Sequence, residues 1–326
     1  MTDKENKKRL VLARLKNSSD YVSGEELSNI LNISRTAIWK YIQDIRKDGY
    51  LINSSTKKGY QIISSPDKVS AEELSTYLDT NIFGKNYNYF ETLDSTNTTA
   101  KILAEQNADE GTVVLAEQQL AGKGRMGRHW VSPYGMGLYF SIIIRPKIPV
   151  NQASQLTLVI AAVIAQLLNN KYNIPAKIKW PNDILVNGKK VCGILVEMSS
   201  DIDRINYAVI GIGINVNNNL DSLSMITTNL VPTSLLLETG LRTNRAQIFA
   251  ELLNKLENAY IEFIESGFEE FKQIWETYAY SIGRLITVET TVENYKGILS
   301  GIDKSGALIL NINGQKKLIY SGEIVL

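Results

Sequence analysis

Two strand-like runs held apart by a glycine-rich cationic loop constrain this chain more than any other feature. Residues 113–117 read as one strand, and residues 137–145 alternate Leu138, Phe140, Ile142 and Ile144 at strand period. Between them runs Gly122-Lys123-Gly124-Arg125-Met126-Gly127-Arg128-His129-Trp130. Glycine lets backbone N–H groups approach an anion, and Lys and Arg neutralise it. The Trp130 indole is suited to stack on a base. Such a loop fits a phosphate-bearing aromatic ligand but names no reaction.

The surrounding segments alternate between apolar strands and helices, so residues 66–275 read as an α/β or α+β body. A helix is expected at 152–169 and an amphipathic one at 244–265. Strands are expected at 177–180, 184–186, 191–198 and 206–215, with Asn187-Gly188 as a hairpin turn. Polar groups stand at the ends of these elements. Asp94-Ser95-Thr96-Asn97 opens a helical stretch at 98–106, as a plain N-cap or as a set of short ligand-binding groups. Lys179-Trp180-Pro181-Asn182-Asp183 breaks a strand and presents an amide and a carboxylate; the acid reads as a solvated turn carboxylate, the commoner case, or, beside a phosphate site, as a holder of Mg²⁺. Lys189 and Lys190 flank the hairpin, either one long enough to enter a site. Gly211-Ile212-Gly213-Ile214-Asn215 ends a strand whose glycines allow close packing, ligand approach or a bulge. No GxxxxGK[ST] or complete GxGxxG motif is present, which disfavours a kinase-type or Rossmann nucleotide site.

The net charge of +1 hides an asymmetry. Residues 1–65 hold 12 Lys+Arg against 7 Asp+Glu, a basic head suited to a polyanion. Within it a helix at 5–16 precedes two capped ones. Ser23 and Glu26 form a capping-box pattern, Asn32-Ile33 a tight turn, and Ser34 caps a third helix with Ile38, Ile42 and Ile45 inward. That third helix turns Arg35, Thr36, Trp39, Lys40 and Gln43 outward toward bases and phosphates. Strands at 50–53 and 60–63 with a basic tip, Lys57 and Lys58, read as a wing. Ser64-Ser65-Pro66-Asp67 reads as a linker, and residues 276–326 as a small β-barrel of short strands punctuated by glycine. The one cysteine, Cys192, lies in an apolar strand and reads as a buried hydrophobe; it excludes an internal disulfide and fits a cytoplasmic protein. The apolar run 156–168 reads as a buried helix too short to span a bilayer, so no membrane partner is expected.

The ordered set Asp94-Ser-Thr-Asn, Gln119-x-Ala-Gly-x-Gly-Arg-x-Gly-Arg-x-Trp, Lys179-Trp-Pro-Asn-Asp, Lys190-Val-Cys-Gly-Ile-Leu-Val-Glu and Gly211-Ile-Gly-Ile-Asn resembles the biotin–protein ligases. With the basic head, it resembles their bacterial members that also repress the biotin operon. The resemblance implies a multidomain α+β fold: a winged helix-turn-helix (1–65), a class II synthetase-like α/β catalytic domain (66–275) and an SH3-like barrel (276–326). It implies that biotin and MgATP form biotinyl-5′-adenylate, whose acyl group passes to a lysine of a biotin carboxyl carrier domain. The adenylate then acts as corepressor, favouring a homodimer that binds operator DNA. Catalytic roles fall on Arg125, Arg128, Lys190 and Asp183, the last also as a Mg²⁺ ligand. Biotin falls to Ser95, Thr96, Asn97, Gln119, Lys123, Gly124, Arg125 and Lys190, and the adenylate to Trp130, Asn182 and Asn215. The family loop usually reads Gly-Arg-Gly-Arg; Lys123 keeps the charge but lacks the two-point guanidinium fork. A lipoate or octanoate transferase and a non-catalytic metabolite sensor are the alternatives.

Overall fold

The computed structural model describes residues 3–226 and 230–325; residues 1, 2 and 326, at the ends of the expected outer domains, lie outside the described residues. The chain forms two compact units, Met1–Leu78 and Asp79–Leu326.

The first unit holds α1 (Asp3–Lys16), α2 (Gly24–Leu31), α3 (Arg35–Lys47), the hairpin β1 (Leu51–Ser55) and β2 (Gly59–Ser64), and the short α4 (Ala71–Leu74). Val11, Leu12, Leu15, Leu27, Ile38, Ile42 and Ile45 make its core. Ser23 Oγ accepts from Glu26 N–H at 3.0 Å, and Ser34 Oγ from Ala37 N–H at 3.2 Å. Only half of the expected capping box forms. The Glu26 carboxylate takes Arg14 Nε at 2.9 Å, a charge-assisted donor stronger than a backbone N–H. Asn32, left-handed at φ 50°, makes the turn between α2 and α3. The unit does not end at Ser64–Asp67. Val69 is buried, and buried Glu73 meets Lys16 Nζ at 2.6 Å and the Tyr50 hydroxyl. Those contacts hold the segment after the wing against α1.

The second unit begins with β3 (Tyr87–Leu93), α5 (Thr96–Glu105), β4 (Val113–Gln119), β5 (Leu138–Ile144) and α6 (Ala153–Tyr172). It continues with β6 (Ala176–Lys179), β7 (Asp183–Val186), β8 (Lys189–Ser200) and β9 (Ile205–Ile214). Helices α7 (Leu220–Leu223), α8 (Leu235–Thr239), α9 (Arg245–Ser266) and α10 (Glu269–Tyr278) follow. Strands β10 (Leu285–Glu289), β11 (Asn294–Ile302), β12 (Leu308–Ile312), β13 (Gln315–Ile319) and β14 (Glu323–Val325) end it. Strands β3 to β9 form one seven-stranded sheet in the order β3-β4-β5-β9-β8-β7-β6. Its first pair is parallel and the others are antiparallel. The last five strands form an antiparallel sheet in the order β13-β12-β11-β10-β14.

By length and composition α6 is the one candidate membrane helix among the described residues, yet its apolar side chains are buried within the unit. Its apolarity therefore reflects a core position, as the sequence suggests. Helix α9 is tied to β4 by Arg245 and Glu117, each 1 % exposed, with Nη1 and Oε2 2.6 Å apart. Arg245 also donates to Gly137 O at 3.1 Å, so the pair anchors both strands that flank the cationic loop. Cys192 is fully buried in β8, and burial pushes its thiol pKa up, which keeps it unreactive.

Candidate functional site

A cavity of about 430 Å³ opens in the second unit between the cationic loop, the start of α5 and the strands β8 and β9. Every residue that the sequence assigns to the catalytic, biotin and adenylate sites lines it.

One end is a wall of short polar groups. Ser95 caps α5 and also lines the cavity. Thr96 N–H donates to Gln119 Oε1 at 2.8 Å, and Thr96 Oγ1 lies 3.2 Å from the same oxygen. Gln119 Nε2 donates to Ser132 Oγ at 2.9 Å. Asn97 donates from Nδ2 to Glu197 Oε2 at 3.0 Å, while its Oδ1 accepts from Ser141 Oγ at 2.6 Å. Ser132 and Ser141 lie in no motif that marks them, and Glu197 closes the Lys-Val-Cys-Gly-Ile-Leu-Val-Glu motif without a role assigned to it from sequence.

The other end is cationic. Arg125 Nη1 donates to Asn182 Oδ1 at 3.1 Å, and Asn182 Nδ2 donates to Ile194 O at 2.9 Å. Burial draws Arg125 below its ordinary pKa against the fields of Asp183 and Glu323. Lys190 Nζ lies 2.7 Å from Asp183 Oδ1 and 5.4 Å from the centre of the Trp130 ring. Of the two hairpin lysines only Lys190 turns inward; Lys189 pairs with Glu238 at 3.2 Å. Arg128 makes a two-point pair with Glu323 of β14, at 2.8 and 2.6 Å. Buried Lys179 stands 3.6 Å from the same carboxylate, and desolvation lowers its pKa. Glu323 sits in a short terminal strand with no motif, so sequence reasoning missed it.

The loop glycines let the loop fold on itself, and the strand glycines take the close-packing reading. Gly124 N–H donates to Arg128 O at 2.7 Å and Trp130 N–H to Gly122 O at 2.8 Å, so these donors fold the loop back on itself. A Cβ at Gly122 would stand 2.4 Å from Trp130 O, which is why that position has no side chain. The strand glycines make room for side chains rather than for a ligand. A Cβ at Gly211 would meet Asn97 Oδ1 at 2.0 Å, and one at Gly213 would meet Trp130 Cε2 at 2.4 Å. Trp130 Nε1 and Asn215 Oδ1 are buried without a partner, two polar atoms a ligand would satisfy. Lys123 is exposed at the cavity edge and bridges to His129 across the loop.

No group of three or more His, Cys, Asp or Glu that would cage a metal exists among the described residues. Asp183 faces an ammonium instead. A cation carried in as MgATP needs only one or two carboxylates besides the phosphates, so the set fits transient contact rather than a resident ion.

In the first unit Arg35, Thr36, Trp39 and Lys40 lie exposed on α3, and Gln43 is half-buried. Arg35 pairs with Glu25 of α2. Lys57 and Lys58 are exposed at the wing tip, with Lys58 Nζ 5.6 Å over the Tyr21 ring.

A cationic, amide-lined cavity on a mixed sheet, in a chain with a winged helix-turn-helix unit, defines a ligand-activating enzyme joined to a DNA-binding unit. The chain belongs to the biotin/lipoate A/B protein ligase family, whose profile matches residues 89–215. A helix-turn-helix profile matches residues 7–61, and the biotin protein ligase C-terminal profile matches residues 281–326. The chain is 41% identical over 312 residues to the bifunctional ligase/repressor BirA of Bacillus subtilis, covering 94% of each. It is 32% identical over 325 residues to that of Escherichia coli, covering 99% of this chain and 98% of the relative. A solved biotin protein ligase from Aquifex aeolicus, in complex with biotin and ATP, superposes with a TM-score of 0.63 at 31% identity, covering 74% of this chain and 97% of that one.

Proposed function

We propose that this chain joins biotin to ATP as biotinyl-5′-adenylate, transfers the biotinyl group to a carrier lysine, and represses transcription when the adenylate stays bound. The observation that carries this reading is the convergence of the five motifs on one cavity, polar at one end and cationic at the other. The ring urea of biotin binds the Thr96, Asn97 and Gln119 wall, which supplies matched donors and acceptors. Its carboxylate then points toward Lys190 and Arg125. Carboxylate oxygen attacks the α-phosphorus, the bond to the β-phosphate oxygen breaks, and pyrophosphate leaves. Arg125, Arg128 and Lys190 offset the crowded negative charge, an effect strongest where water is excluded. Lys123 assists from the rim.

Asp183 holds Lys190 in place and orients the incoming carrier lysine. That amine attacks the acyl carbon, AMP leaves, and an amide remains. The adenine lies against Trp130, with Asn215 and Asn182 beside it, and the folded-back loop shields the mixed anhydride from water. The DNA-binding role falls to the basic head, which packs on through Leu78, the ligase chemistry to the body that follows up to residue 275, and an assisting role to residues 276–326. Adenylate-bound chains pair as homodimers in the cytoplasm and place Arg35, Thr36, Trp39, Lys40, Gln43, Lys57 and Lys58 on operator DNA.

Incubation with biotin, ATP and a carrier domain tests the enzyme. An avidin-detectable product is expected; acceptance of lipoate without any biotinylated product overturns the assignment. A gel shift with promoter DNA, with and without biotin plus ATP, tests the repressor.

A further inference from the structure

Behind the polar wall lies a chain of hydrogen bonds whose direction is set at both ends. We infer that Glu197, outside the cavity lining, is a positioning residue that fixes which atoms of the wall accept hydrogen bonds from the ligand. The inference rests on the biotin reading above.

A carboxylate only accepts, so Asn97 turns its Nδ2 to Glu197 at 3.0 Å. Lys101 Nζ, 3.1 Å away, holds the other oxygen. Burial alone raises the Glu197 carboxyl, but the Asn97 amide and the Lys101 ammonium outweigh it and hold the pKa below its ordinary value. The residue is therefore a charged acceptor at neutral pH. Its charge leaves Asn97 Oδ1 facing Ser141, 2.6 Å away. Ser141 is fully buried and has one proton, which Oδ1 takes. At the 2.8 Å contact between Ser141 Oγ and Thr96 Oγ1 the proton then comes from Thr96.

Thr96 has no second proton for Gln119, so its Oγ1 is left to a ligand in the cavity it lines as an acceptor only. At the far end Gln119 Nε2 is spent on Ser132 Oγ, and Ser132 Oγ donates to Trp130 O at 3.2 Å. Gln119 Oε1 accepts from Thr96 N–H at 2.8 Å and keeps a second lone pair for a ligand in the cavity that Gln119 lines. Thr96 and Gln119 together form an acceptor edge, the complement of a ring urea N–H.

Neutralising Glu197 removes the polarity. In Glu197→Gln the new amide can donate to Asn97 Oδ1, Asn97 turns its Nδ2 to Ser141, and each proton along the chain reverses. Thr96 then donates toward the cavity and repels a urea N–H. In the swap Asn97→Asp with Glu197→Gln, the carboxylate at 97 again only accepts, so the original order returns.

Calorimetric titration of the full-length chain with biotin, and separately with ATP, tests this. Wild-type binding of biotin is the first reading; its absence overturns the biotin assignment itself. With wild type binding, Glu197→Gln is expected to weaken biotin by about tenfold, the worth of a lost hydrogen bond with an unpaired donor left behind, and to leave ATP within about twofold. Discrimination against a cyclic carbamate analogue of biotin, in which oxygen replaces one ring N–H, is expected to shrink. The swap is expected to recover biotin affinity to within about threefold of wild type. Unchanged biotin affinity in Glu197→Gln, or a folded swap with no recovery, overturns the relay. If Glu197→Gln does not fold, Ser141→Ala carries the test: it breaks the chain and must reduce carbamate discrimination, and full discrimination overturns the inference.

Discussion

Gly193 and Gly213 stand directly opposite each other in neighbouring strands, and the indole of Trp130 lies across both. A Cβ at Gly193 would meet Trp130 Cζ3 at 2.8 Å, and one at Gly213 would meet Cε2 at 2.4 Å. The floor of the site is thus bare backbone, and the loop closes by laying its tryptophan on it. Gly213→Ala is expected to lift the indole and hold the loop open. Overpacking of this kind costs about 1–3 kcal/mol, so the KM for ATP should rise about 5- to 150-fold. Biotin-dependent pyrophosphate exchange measures it, and a wild-type KM would show that Trp130 need not lie on this floor.

Why some of this was legible and some was not follows from the range of the signals. The caps at Ser23 and Ser34, the Asn187-Gly188 turn and the alternation in β5 are local, and each formed where the residues place it. The cavity was legible because five short motifs each carry their own polar groups. Glu323, Ser141 and Glu197 were not, because their roles arise only when distant strands meet. The continuation of the first unit past Ser64–Asp67 was hidden for the same reason: a Ser-Pro stretch reads as a linker, and only the packing of Glu73 on Lys16 shows otherwise. Glycines told where the backbone is approached but not by what.

Arg128 and Glu323 tie the cationic loop to the last strand. The pair lowers the Glu323 pKa and raises that of Arg128, so each favours the charged form of the other. For a carboxylate with a depressed pKa, the stabilisation is full above the unfolded value, about 4.3, and is lost as pH falls through the folded one. The tether is therefore intact at neutral pH. Glu323→Gln is expected to free the loop and speed tryptic cleavage after Arg128 severalfold at pH 7.5. Cleavage at the wild-type rate would show that the pair does not restrain the loop.

On α3, Arg35 is held by Glu25, an exposed pair that a phosphate can replace. Arg35→Ala is expected to weaken promoter binding and to reduce the slope of log affinity against log salt by about 1, with ligation unchanged. Glu25→Gln releases the guanidinium and is expected to tighten promoter binding by about two- to fivefold, by removing a competing anion. Gel shifts across a salt series read both. An unchanged slope in Arg35→Ala would remove that residue from the phosphate contacts.

Glu73 joins Lys16 and Tyr50 in a buried cluster that closes the first unit. Desolvation, the largest influence, raises the Glu73 pKa against the pull of Lys16. With the folded value above the unfolded one, this group's favourable share is present at low pH and shrinks as pH rises through the folded value. Removing one partner leaves the other charge buried and alone. Glu73→Ala should therefore cost the first unit about 3–5 kcal/mol, whereas Lys16→Met with Glu73→Gln, which removes both charges at similar volume, should come within about 1 kcal/mol of wild type. Urea denaturation of the full chain, followed by a probe attached in the wing, reads the two values. Equal losses in the single and double variants would mean that the cluster stabilises by packing alone, because the isolated charge would then carry no penalty.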